Sequence, residues 1–147
     1  MDSVIVAKFG GSTIGIDGIS IPVIIQRIST ISKNAKVIAV FSAPLTVVEG
    51  KRTSLTDVVL ELGNRAKDGR TSDLIILKKT YEKILELVSS EFQDECKKII
   101  DDCLDKVSIE LEKAMEKKEF SDEIRSKTLA YSGEILMSYI MEYILQS

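Results

Sequence analysis

The sequence contains no histidine, and only two of its 147 residues are cysteines and two are prolines. Without histidine, zinc sites built on imidazole and catalytic triads that use a histidine base are excluded. No uninterrupted apolar run reaches the roughly 18 residues of a membrane-spanning helix, and the N-terminal residues lack the basic segment of a secretory signal. We therefore expect no contact with a membrane.

The two cysteines, Cys96 and Cys103, are seven positions apart in a stretch with helical periodicity. This spacing places them on one helix face about two turns apart, which is too far for a disulfide between them. Reduced thiols in the core are typical of a cytoplasmic protein.

The length suits one domain, and 44% hydrophobic with 29% charged residues is ordinary for a globular chain. The formal net charge of −3 creates no general basic field, so we expect no nucleic-acid partner.

The most informative stretch is at the start of the chain. The apolar run from Val4 to Ala7 predicts a buried strand, which Lys8 and the pair Gly10-Gly11 follow directly. Oriented backbone N–H groups beside a lysine, followed by the hydroxyl of Ser12, suit a phosphate. A tight turn with a surface lysine explains the same residues equally well.

The next segments predict a βαβ unit. A helix is expected from Ser20 and Pro22 to about Ser32, with Val23, Ile24, Ile28 and Ile31 on its apolar stripe. Lys36 to Ser42 then predicts a second buried strand, parallel to the first. Because ligands bind at the carboxyl ends of parallel strands, the glycine turn and Ser42 should be neighbours.

A longer loop is expected between Pro44 and Arg52. Ser54 then fits a helix N-cap, with Thr56 in the first turn and Asp57 at the third helical position. The polar stretch from Asn64 to Asp73 predicts a break between helices.

Two amphipathic helices are predicted in the second half of the chain. Their apolar stripes are Leu74, Leu77, Tyr81, Ile84 and Val88, and Phe92, Cys96, Ile99, Cys103, Val107, Leu111 and Met115. A last helical stretch runs from Phe120 to Tyr131 and resumes from Ile135 to Leu145. Gly133, between its two parts, indicates close packing or a kink. The carboxylate of Glu134 is either solvated or directed into a pocket.

Four short motifs in this order resemble the N-terminal part of aspartate kinases, within the amino acid kinase family. They are Lys8–Thr13 (KFGGST), Val40–Ala43 (VFSA), Thr56-Asp57, and Ser132–Ser138 (SGEILMS). Two features differ from the family pattern: Ser12-Thr13 stands where Thr-Ser is usual, and the loop before Thr56 is longer than in many bacterial members.

The resemblance implies an α/β fold, a three-layer αβα domain of the carbamate kinase-like type with a mainly parallel sheet. Residues 1–147 would form only the amino-acid-binding lobe, with a helix-rich second half. The nucleotide lobe and the C-terminal regulatory ACT domains have no counterpart, so the chain is expected to be a fragment that is inactive alone.

The implied reaction transfers the γ-phosphoryl group of ATP to the side-chain carboxylate of L-aspartate, the first step towards lysine, threonine and methionine. ATP and Mg²⁺ are implied as cofactors, with no metal ligand in this chain, and a homodimer is expected. By resemblance, Lys8 is catalytic and binds phosphate with Gly10, Gly11 and Ser12, and Ser42, Thr56 and Glu134 bind aspartate. The alternatives are another amino acid kinase with a different acceptor, and a non-catalytic binding or assembly subunit.

Overall fold

The computed structural model describes residues 3–71 and 73–147. Its elements, in chain order, are β1 (Val4–Phe9), α1 (Gly11–Ile14), α2 (Ile21–Ser32), β2 (Lys36–Phe41), β3 (Leu45–Val48), β4 (Lys51–Ser54), α3 (Leu55–Lys67), α4 (Ile75–Leu85), α5 (Gln93–Lys117), α6 (Asp122–Leu129), a π-helical segment (Ala130–Glu134) and α7 (Ile135–Gln146). The expected α/β class and helix-rich second half are confirmed. Among the described residues, no helix combines the length and the apolar character needed to cross a bilayer.

Strands β1 and β2 are parallel, as the βαβ pattern predicts, and α2 connects them. Their register runs from Val4 opposite Lys36 to Phe9 opposite Phe41. The N–H of Ser42 donates to the carbonyl of Phe9 at 3.0 Å, which continues the ladder by one residue. The turns that follow the two strands are therefore held side by side.

The prediction that both strands are buried is wrong for one side of the sheet. Side chains alternate between the two faces of a strand. The inner face carries Ile5, Ala7, Phe9, Val37, Ala39 and Phe41, and the outer face carries Val4, Val6, Lys8, Lys36, Ile38 and Val40. Phe9 and Phe41 are buried with their rings stacked, whereas Val6 is 67% and Ile38 54% exposed. The described helices cover the inner face of this two-stranded sheet and not the outer one, which explains the difference, although Ile5 at the start of the inner face is still 42% exposed.

Helix α2 begins after Ser20 with a proline in its first turn, as expected. Its buried stripe is Ile21, Ile24 and Ile28, at the i, i+3 and i+7 positions of one helix face. The inclusion of Val23 in that stripe is wrong, because Val23 is 66% exposed.

The segment predicted as a loop from Pro44 to Arg52 is largely the antiparallel hairpin of β3 and β4. The turn residues Glu49 and Gly50 both have positive φ, the backbone conformation that a two-residue hairpin turn requires. A glutamate at the first position of such a turn is unusual, so the sequence did not predict the hairpin.

The break between helices predicted from Asn64 to Asp73 is present but shorter at its start, because α3 continues to Lys67 and α4 begins at Ile75. Gly63 is buried inside that helix, and a Cβ atom built on it would lie 2.2 Å from the ring of Phe120. This glycine permits a close contact between elements and does not end the helix.

The first predicted helix of the second half packs as expected, and the second does so in part, because Phe92, Ile99 and Met115 of its predicted stripe are only half-buried. All five residues of the first apolar stripe are buried, although α4 ends at Leu85 and Val88 lies in the following turn. On α5 the cysteines Cys96 and Cys103 are buried and unbridged. The interruption between α6 and α7 is one π-helical turn, so the three segments form a continuous helical rod.

Candidate functional site

A cavity of about 580 Å³ opens where β1 and β2 end. Five of the residues selected in the sequence line it, although they come from four separate segments: Gly11, Ser12, Ser42, Thr56 and Glu134. The remaining lining residues are Ala43, Leu45, Ser54, Ser126, Leu129, Ala130 and Gly133. The structure thus brings the turn after β1, the end of β2, the start of α3 and the π-helical segment around one space.

The turn after β1 is a single helical turn, α1. The carbonyl of Gly10 accepts hydrogen bonds from the N–H groups of Thr13 and Ile14, both at 3.0 Å. A Cβ atom on Gly11 would lie 2.7 Å from the carbonyl oxygen of Ala43, closer than real Cβ contacts. The close approach of the two strand ends therefore requires a glycine at position 11. This glycine also lines the cavity.

Two of the predicted site residues do not line the cavity. Gly10 precedes α1 as its N-cap, and Lys8 projects from the outer face of β1, where it is exposed. Within residues 3–71 and 73–147, Lys8 has no hydrogen-bond or ion-pair partner. Its ammonium group is available to an anion that approaches from the outer face.

Thr56 reaches the cavity because α3 starts at its rim. The Ser54 hydroxyl accepts a hydrogen bond from the N–H of Asp57 at 3.0 Å, so the predicted N-cap is confirmed. Thr56 and Asp57 lie in the first turn and are exposed, and of these two only Thr56 lines the cavity. Ser54 serves both as helix cap and as part of the cavity wall.

The π-helical segment places Glu134 at the edge of the cavity. A Cβ atom on Gly133 would lie 3.0 Å from the Cβ atom of Ala43, so the close packing that this glycine indicates is present. The buried hydroxyl of Tyr81 donates to the carbonyl of Ser132. Burial raises the pKa of Tyr81, so its hydroxyl keeps the proton that it donates.

The Glu134 side chain is exposed and lines the cavity. It has no ion-pair partner in the described part of the chain. Both alternatives from the sequence hold at once, since the carboxylate is solvated and also borders a pocket. An unpaired carboxylate at this position can accept a cationic group from a ligand.

Ser126, Leu129 and Ala130 were not selected as site residues in the sequence. Together with Gly133 and Glu134 they occupy positions i, i+3, i+4, i+7 and i+8, which lie on one face of a helix. If Glu134 had been assigned to a pocket, that spacing could have identified the other residues of the same helix face as part of the lining. Ser126 itself has no motif that marks it.

The cavity combines several hydroxyl groups with one carboxylate. Hydroxyls donate and accept hydrogen bonds, so Ser12, Ser42 and Thr56 suit the oxygens of a carboxylate or a phosphoryl group. Among the described residues that line the cavity, only Glu134 has an ionisable side chain. In the described residues no three cysteine, aspartate or glutamate side chains cluster as metal ligands do, so we assign no residue to Mg²⁺ and no step to it.

Comparison of the chain with protein-family models and with curated proteins finds no match. The interpretation of the site therefore rests on its geometry and on the four short motifs.

Proposed function

We propose that this chain is the acceptor-binding lobe of an aspartate kinase, with an amino acid kinase-like fold. In this proposal the cavity binds L-aspartate, and its side-chain carboxylate receives the γ-phosphoryl group of ATP to give 4-phospho-aspartate. A separate nucleotide-binding lobe would bring ATP to the open side of the site.

One observation carries the proposal. The motifs that resemble aspartate kinases are distributed from position 8 to position 138, yet a residue of each lines the same cavity. A chance resemblance of short motifs gives no reason for Ser12, Ser42 and Glu134 to converge. Their convergence at the carboxyl ends of two parallel strands matches the usual location of ligand sites in α/β folds.

The chemistry requires alignment and charge neutralisation more than proton transfer. The aspartate carboxylate is ionised at neutral pH and already competent as a nucleophile. Glu134 would bind the substrate ammonium, and the hydroxyls of Ser42 and Thr56 would bind its carboxylate oxygens. The turn at Gly10-Gly11, with Ser12, would bind the oxygens of the transferred group.

Lys8 would neutralise the negative charge that builds on the phosphoryl group. Its exposed ammonium group, which has no partner among the described residues, supports this role, because it can meet a phosphate delivered from outside the lobe. Lys8→Ala, in a protein that includes the nucleotide lobe, should reduce kcat much more than it weakens aspartate binding. The 147-residue chain alone is expected to form no aspartyl phosphate.

Titration calorimetry with L-aspartate tests the proposal on the chain as it is. We expect saturable binding that Glu134→Gln weakens by about tenfold or more, the effect of losing a charged hydrogen bond. Glu142→Gln is the matched control, because this exposed glutamate lies two turns further along the same helical rod and outside the cavity. Equal binding by Glu134→Gln and the unchanged chain would contradict the assignment.

The choice of acceptor tests the first alternative. If the acceptor has no ammonium group, Glu134→Gln should leave its binding unchanged. Succinate, which matches aspartate without the ammonium group, makes this comparison directly. Preference for succinate over aspartate would favour another kinase of the family.

The exposed outer face of the sheet favours the second alternative, an assembly subunit. A folded chain that binds neither aspartate nor ATP in calorimetry would support an assembly subunit over the acceptor-binding lobe of a kinase.

A further inference from the structure

A second cavity of about 570 Å³ adjoins the first one, and the two share Ser12. Its other lining residues are Gly15, Ile16, Asp17, Ile19, Ser20 and Arg52. We propose that this second cavity is an oxyanion-binding subsite, in which Arg52 pairs with a carboxylate or phosphate group of a small ligand. The proposal goes beyond the proposed function and does not depend on phosphoryl transfer.

The hairpin positions Arg52 beside the first cavity. Alternate residues of a strand project from the same face, so Arg52 and Ser54 of β4 share one face of the hairpin. Ser54 lines the first cavity and Arg52 lines the second, so one hairpin face forms a wall of both. Backbone hydrogen bonds fix this wall: the N–H of Asp17 donates to the carbonyl of Leu45 at 2.8 Å.

The side chains that line the second cavity include one carboxylate and one guanidinium, and the carboxylate already has a cationic partner outside the lining. Its one carboxylate, Asp17, is neutralised by the Lys83 ammonium at 2.6 Å and also accepts a hydrogen bond from the Thr46 hydroxyl at 3.3 Å. Thr46 in turn accepts from the buried hydroxyl of Thr80 at 3.0 Å, which holds this network against α4. Arg52, the positively charged residue of the lining, has no carboxylate partner in the described part of the chain.

The other polar side chains that line the cavity are two serines, whose hydroxyls can donate hydrogen bonds to an oxyanion. The hydroxyls of Ser12 and Ser20 form no hydrogen bond within the described residues. Gly15 has a φ of 83°, and a Cβ atom there would lie 2.9 Å from Cγ2 of Ile19 and 3.2 Å from the Ser20 hydroxyl oxygen, so this turn packs closely against both residues. A guanidinium fork with two hydroxyls suits the oxygens of a carboxylate or phosphate.

Titration of the ¹⁵N-labelled chain with inorganic phosphate, at constant ionic strength, tests the subsite by NMR. We expect saturable shift changes at Ser12, Gly15 and Ser20, and a loss of affinity of about tenfold or more in Arg52→Gln. Lys51→Gln is the matched control. Lys51 is the residue next to Arg52 on β4, and its side chain projects from the opposite face of the strand, so this variant also removes one positive charge but not from the cavity. It should bind phosphate as the unchanged chain does.

A second titration identifies where the oxyanion comes from. If the subsite holds the second carboxylate of an acceptor, Arg52→Gln weakens the binding of L-aspartate and leaves that of L-alanine unchanged. If the subsite holds a separate anion, the variant affects phosphate alone. Either result supports the subsite.

Three results would overturn the proposal: phosphate shifts that do not saturate, equal phosphate affinity in Arg52→Gln and the unchanged chain, or an equal loss in Lys51→Gln. The circular dichroism spectrum and Tm of both variants show whether each is folded. The proposed function has its own test at Glu134, so the two can fail separately.

Discussion

Both faces of the small parallel sheet carry mostly apolar residues, although the outer face also has two lysines, and the surroundings of the two faces differ most towards the carboxyl end. Neighbouring residues of β2 show this, since Phe41 is 5% exposed and Val40 is 44% exposed. On the inner face the rings of Phe9 and Phe41 stack at 5.4 Å between centroids and join the main core. On the outer face Val4, Val6, Ile38 and Val40 remain in contact with solvent.

This difference shows that apolar character alone does not locate the core. Parallel strands usually have both faces covered, and their sequences are then apolar throughout. The two strands here have such sequences, but the described helices cover only one face. We therefore expect the inner face to contribute to stability and the outer face to contribute little.

The largest effect is expected from Phe41→Ala. Removing this buried ring should lower the free energy of unfolding by about 3–5 kcal/mol, through lost burial and the cavity left behind. Urea denaturation measures the loss. A change below about 1 kcal/mol would mean that the inner face contributes no more than the outer one.

A smaller loss of stability is expected at the carboxyl end of the sheet, where the strands end at the candidate site. Gly11→Ala should lower the free energy of unfolding by about 1–3 kcal/mol, because the new methyl group would overlap the carbonyl of Ala43. Gly10→Ala is the matched control, since a Cβ atom there meets nothing within 4 Å. Thermal unfolding of both variants makes the comparison, and equal losses would contradict the close approach.

The smallest effects come from one chemical change made on each face. Val37→Thr, on the inner face, places a hydroxyl against the core and should lower the free energy of unfolding by about 1 kcal/mol. Val6→Thr, on the outer face, should change it by less than about 0.5 kcal/mol, because threonine keeps the β-branch and the hydroxyl stays in water. Urea denaturation of the pair tests the comparison, and a larger loss at Val6 would indicate that the outer face is covered in solution.

Much of the fold could be predicted from local patterns. The βαβ unit, the N-cap at Ser54, the buried stripe of α4 and much of that of α5 follow from periodicity and from helix-start signals that act within a few residues. The hairpin of β3 and β4 could not be predicted, because its Glu49-Gly50 turn lacks the usual residues. The break predicted from Asn64 to Asp73 is present, but it begins only after Lys67. Gly63 did not end the helix because glycine also serves close contacts, here with Phe120, which is distant in sequence.

The sequence by itself selected the candidate site residues, since the glycine turn, Ser42, Thr56 and Glu134 were all chosen from short motifs. Only the tertiary structure decided that one residue of each segment lines the same cavity, that Lys8 projects from the outer face, and that Arg52 borders a second cavity. The physical reason is the distance along the chain over which each kind of interaction acts. Capping, periodicity and turn preferences act over a few residues, whereas a cavity is formed by segments more than a hundred residues apart, and their meeting depends on how the whole core packs.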